Sequence, residues 1–151
     1  MILLLTLLSA TVPSANVSRS VCDVGRVALR DLANIEKNEG VETYYDIGAQ
    51  GHTDLLEVCP KLRTELPARF PLADNRARER ANVHVPVPGP PVRGVFIHQI
   101  DVPEISADQT RAVVHFNYIC SGLCGGTTDA HYVRTSAGWK REGGFIPVSV
   151  S

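Results

Sequence analysis

The residues with the widest chemical range fall in one stretch near the C-terminus: Cys120 and Cys124, with His98, His115 and His131 on the segments around them. Thiolates and imidazoles are the usual ligands of zinc, and cysteines at this spacing suit half of a structural site. The other half would have to come from histidines whose facing the sequence leaves open. A thiol oxidoreductase would have two residues between its cysteines and a βαβ unit around them; this chain has Ser121, Gly122 and Leu123 there and no such unit. A disulfide is the simpler reading, so the sequence assigns no metal and no cofactor.

Other chemistry is thinner. Ser121 lies outside a Gly-x-Ser-x-Gly elbow, and no strand-to-helix turn is expected at it. Acid–base work would draw on His115 with Asp129 or His131. A histidine of this kind is more often a surface or satisfied side chain, so no catalytic residue is assigned. His115, Tyr118, His131, Tyr132 and Trp139 form the candidate ligand cleft. The plainer reading makes Tyr118 and Trp139 core and edge anchors.

These residues need a sheet to hold them. In Arg111–Cys120, Ala112, Val114, Phe116, Tyr118 and Cys120 alternate with a mixed set, the pattern of a strand with one buried face. Gly122, Gly125 and Gly126 suit a reversal that needs positive φ, and Ala130–Thr135 returns as the second strand. A further turn at Ser136–Gly138 leads to Trp139 and a last strand through Val150, with a bulge or bend at Gly143-Gly144. Val95–Val102 reads as a strand and Pro103–Gln109 as the turn before the hairpin.

Upstream, Ser20-Val-Cys-Asp23 looks like a capping box, and Val21, Val24, Ala28, Leu32 and Ile35 recur at helical spacing. The spacing predicts a helix over 21–36, slightly weakened by Gly25 and ended by Asn38-Glu-Gly40. Thr43–Ile47 reads as a short strand, and Thr53–Cys59 as a second helix interrupted by Pro60. The arginines of residues 69–82 read as a solvated helix rather than an anion-binding patch. Val83–Val92, rich in proline, is a stiff connector or edge segment.

Residues 2–8 are almost wholly aliphatic and lead into small residues, the pattern of a secretory signal peptide over 1–15 without a basic n-region. The run is shorter than the ~20 residues a membrane span needs. No integral membrane segment is then expected after cleavage, and 16–151 would form a single domain. Four cysteines in a short exported chain are expected to be oxidised. Of the three possible pairings the spacing favours Cys120–Cys124, because three residues in a tight turn bring the Cα atoms into range, leaving Cys22–Cys59. A net charge of −1 gives no reason to expect nucleic acid as a partner. The Asn16-Val-Ser18 sequon would matter only in a glycosylating host.

Gly94-Val-Phe, Ile105-Ser-Ala-Asp, Ala112-Val-Val-His-Phe, Cys120-Ser-Gly-Leu-Cys-Gly125, Tyr132 and Gly138-Trp-Lys together resemble the C-terminal part of small exported bacterial proteins of unknown function. In these a strand ends in a Cys-Gly-x-Leu-Cys-Gly type turn and the return strand leads to Gly-x-Trp-Lys. The resemblance covers about the last third of the chain and implies a secreted or periplasmic location. The order of helices followed by sheet is also distantly similar to cone-shaped folds of the nuclear transport factor type, an analogy that does not carry function. The expectation is an α+β domain, with an N-terminal helix or helices on a C-terminal antiparallel β-meander. Its expected role is non-catalytic, in binding or at the cell envelope, and no particular partner is indicated. The alternative is a small-ligand carrier or acid–base enzyme with a cone-shaped cavity.

Overall fold

The computed structural model describes residues 15–35, 40–48, 51–82, 94–122 and 124–150. The expected signal segment lies outside them except for Ala15, and so does the prolyl connector. The fold is α+β, with three α-helices, a 3-10 turn and a six-stranded mixed sheet among the described residues. None of these helices is long and apolar enough to cross a membrane.

Helix α1 runs Ala15–Leu32, starting upstream of the expected cap. Ser20 sits inside it because its hydroxyl has a tertiary partner, donating to Gln109 Oε1 at 3.1 Å. Val24, Ala28, Leu29 and Leu32 are wholly buried, so the apolar spacing marks the inward face. Gly25 has a packing reason: a Cβ there would run into the side chain of Leu55. Helix α2, Leu55–Val58, starts at a true capping box, where Asp54 accepts from Leu56 N and Glu57 reaches back to Asp54 N. Pro60 then opens the 3-10 turn Pro60–Glu65. Helix α3, Asn75–Ala81, has Asp74 as its N-cap.

The strands are β1 Glu42–Tyr45, β2 Val95–Ile100, β3 Glu104–Ile105, β4 Arg111–Cys120, β5 Cys124–Thr135 and β6 Gly138–Val150. Their order is β1-β2-β4-β5-β6, with β3 paired to β4. The run β2-β4-β5-β6 is antiparallel, and β1 adds a parallel edge that the expected meander did not include. The intervening chain, with α2, the 3-10 turn and α3, is long enough for a parallel crossover. Residues 103–109 hold β3 as well as a turn, which closes at Gln109 with a positive φ.

Burial divides the sheet into two faces. The larger buried cluster contains Val24, Ala28 and Leu32 of α1, Leu55 and Leu56 of α2, and Val114, Phe116, Ala130 and Tyr132 of the sheet. The smaller joins Ala77 and Ala81 of α3 to Val95 and Ile97 of β2. Residues 69–82 are therefore not simply solvated. Arg78 makes a bidentate pair with Asp46 at 2.9 and 2.7 Å, and Arg80 pairs with Glu42. Arg69 donates to the carbonyls of Ala33 and Ile35 at 3.2 and 2.6 Å, tying down the chain after α1.

Two disulfides are present. Cys22–Cys59 joins α1 to the residue after α2, and Cys120–Cys124 closes the hairpin tip, with Cα separations of 5.7 and 5.5 Å. Of the three tip glycines only Gly122 has a positive φ; Gly125 and Gly126 belong to β5. Gly143 does bend β6: Asp129 pairs with Ile146 while His131 pairs with Glu142, so β6 carries extra residues opposite this step.

Candidate functional site

Residues paired across antiparallel strands point to the same face, so the register places each candidate side chain. His98 of β2 pairs with Tyr118 of β4, and Phe116 of β4 pairs with Thr128 of β5. Ala112 pairs with Tyr132. These belong to the face of the larger cluster. His115 pairs with Asp129, and His131 with Val113, on the opposite face. The five-residue candidate cleft is thus divided: Tyr118 and Tyr132 stand on one side of the sheet, His115 and His131 on the other. The strand period of two produces that division. Trp139 is half-buried against the larger cluster, as an anchor would be.

On the first face a cavity of about 360 Å³ opens between the chain just after α1 and the sheet. Its apolar wall is Ile35, Phe116, Tyr118 and Phe145, with Phe116 and Phe145 in edge-to-face contact at 5.3 Å. Asn34, His98 and Thr128 are its polar members. None of these lining residues carries a formal charge at neutral pH, because His98 is held neutral. Burial, with Arg69 nearby, lowers its pKa to about 4. Its ring sits edge-on to Phe70 at 5.1 Å and beside Phe96 and Tyr118 at 6.3 and 6.2 Å.

A second cavity, of about 320 Å³, is lined by residues 104–106, 111–113, His131 and Tyr132. Residues of both faces meet there, and Glu104 and Arg111 bring charged side chains to it. Arg111 is already paired to Glu142 at 3.1 Å. The Tyr132 hydroxyl points the other way, to Asp31 Oδ2 at 3.0 Å, and burial raises its pKa.

The acid–base candidate is real as geometry. His115 Nδ1 lies 2.5 Å from Asp129 Oδ1, and its Nε2 lies 3.4 Å from Glu104 Oε1. Burial pulls the imidazole pKa down, but the two carboxylates outweigh it and the net shift is upward. Both ring nitrogens are engaged, and His115 lines neither of the two cavities. Ser121 serves the fold, since its Oγ accepts from Val95 N at 3.0 Å and so fixes the hairpin tip to the start of β2. Among the described residues no group of three or more His, Cys, Asp or Glu is arranged to hold a metal ion.

Sequence reasoning named His98 only as one of three histidines near a zinc-like cysteine pair, and missed Phe145, Thr128 and Ile35. The signal for Phe116 and Thr128 was available in the alternation of the two hairpin strands. That for Phe145 was hidden by the bulge at Gly143. No family model, curated protein or solved structure matches this chain.

Proposed function

We propose that this chain is an exported, non-catalytic binding protein that takes a small ligand in the cavity beside the end of α1. The observation that carries the reading is the cavity itself: about 360 Å³, walled by aromatic and aliphatic side chains with a few polar groups. That is the size and lining of a small-molecule pocket, at the lower end of the ~300–1,000 Å³ range. Export is supported by the signal-like residues 1–15, by two disulfides of the kind an oxidising compartment maintains, and by the resemblance of the last third to small exported bacterial proteins. The same features support a periplasmic or secreted location.

A cone-shaped fold of the nuclear transport factor type is the arrangement we infer for this chain, supported by the packing of α1 and α2 on the face of the sheet that also holds the cavity. The acid–base enzyme is the weaker alternative, because His115 and Asp129 are on the face away from α1. The test is ligand-observed NMR with uncharged aromatic fragments on the wild type and on Thr128→Phe, whose added ring occupies the cavity. Saturation transfer to fragments with the wild type and its loss in the variant is the expected outcome. Transfer that survives the substitution, or none with either protein, would refute the assignment.

A further inference from the structure

Among the described residues His98 is the one polar cavity residue that is almost fully buried, with 6 % of its surface exposed. Among the described residues neither of its ring nitrogens has a hydrogen-bond partner, although its backbone carbonyl accepts from Asp46 N at 3.0 Å. A ring nitrogen that no protein group meets, on a residue lining the cavity, is free to exchange a hydrogen bond with a ligand atom. Its surroundings are aromatic: Phe70 meets the ring edge-on, and Phe96 and Tyr118 flank it.

Resting on the binding reading above, we propose that the cavity takes an uncharged ligand with a flat apolar body and one hydroxyl group, and that His98 hydrogen-bonds the hydroxyl. Three features point to this class. The lining residues Phe116, Tyr118 and Phe145 offer ring faces and edges to a flat body. No described lining residue supplies a charge to receive an ion, and two nitrogens of the Arg69 guanidinium donate to the carbonyls of Ala33 and Ile35 just after α1. A neutral imidazole has one donor and one acceptor nitrogen, and a hydroxyl can meet either, so the hydroxyl is served by both tautomers.

Three probes with one skeleton separate the terms: naphthalene, 2-naphthol and 2-naphthoate, titrated by calorimetry into the wild type and His98→Phe. The expected result is 2-naphthol binding the wild type about fivefold to tenfold more tightly than naphthalene, the worth of one hydrogen bond. Naphthoate should bind more weakly than either. In His98→Phe the preference for the hydroxyl should vanish while naphthalene still binds. Imidazole ¹⁵N shifts give a readout in the unaltered protein and should move with 2-naphthol and not with naphthalene. Equal affinity of 2-naphthol and naphthalene, tight naphthoate binding, or a hydroxyl preference that outlives His98 would overturn the inference and leave the binding reading standing. Binding of none of the three would overturn both.

Discussion

Asp54 and His98 are buried groups whose titrations oppose one another. Burial raises the Asp54 carboxyl from 3.8 to about 6 while its oxygens accept from Leu56 N and the Tyr45 hydroxyl. The folded state therefore binds the Asp54 proton more tightly than the unfolded chain, and this residue adds stability as pH falls from about 7 towards 4. His98 has the reverse sign: its pKa falls from 6.5 to about 4, so stability is lost as pH drops through that window. Each effect is of order 3 kcal/mol at full extent. Against the wild type, His98→Phe should lose less stability on acidification and Asp54→Asn should lose more, measured by urea denaturation between pH 7 and 4. Parallel pH profiles for all three proteins would contradict the assignment. At this scale the sequence was a poor guide. Asp54-Leu-Leu-Glu57 carries a capping pattern that a helix begun at Thr53 obscures, and nothing in Phe96-Ile-His-Gln-Ile100 says which way its histidine points.

At the scale of elements, the two hairpins owe their shape to glycines with different roles. A Cβ on Gly126 would strike the backbone carbonyl of Ser149 and come within 3.1 Å of the Tyr118 ring, whereas one on Gly144 would meet nothing within 4 Å. Gly126→Ala should cost about 1–3 kcal/mol by forcing β6 away from β5. Gly144→Ala should change stability by less than about 0.5 kcal/mol. Urea midpoints of the two variants decide this, and equal midpoints would contradict the close packing of β5 on β6. The sequence grouped Gly126 with the turn because glycine's freedom at a reversal and its tolerance of close approach look alike on paper. Alternation in β4 was informative because one face is apolar: Ala112, Val114, Phe116 and Cys120 are buried as that pattern requires. Helix α1, which ends at Leu32 and not at 36, was legible from its apolar stripe. Its start was not, because the Ser20 hydroxyl is satisfied by Gln109, a residue far along the chain.

For the molecule as a whole, the staples and the sheet order matter most. Cys22–Cys59 closes a separation of 37 residues and Cys120–Cys124 one of 4. Loop entropy alone makes the first worth roughly 4 kcal/mol and the second roughly 2. Cys22→Ala should therefore lower the urea midpoint more than Cys124→Ala, with both folded; identical midpoints for both variants and the wild type would remove the staple argument. Spacing favoured Cys120–Cys124, and Cys22–Cys59 followed only as the remaining pair. The parallel edge β1 was not readable, since its partner is chosen by the crossover through α2 and α3 rather than by local pattern. The apolar face of α3 was masked by its arginines, of which Arg78 and Arg80 hold Asp46 and Glu42. A cavity between the chain just after α1 and the sheet is a property of the assembled layers, so no stretch of sequence announces it.

The most direct check on the central claim is the free energy of unfolding in urea with and without 2-naphthol, for the wild type and Thr128→Phe. A ligand held by the native cavity at ten times its Kd stabilises the folded state by about 1.4 kcal/mol. A rise of that size in the wild type and none in Thr128→Phe is the expected result. An unchanged wild type, or the same rise in both proteins, would mean that the cavity beside α1 is not a binding site.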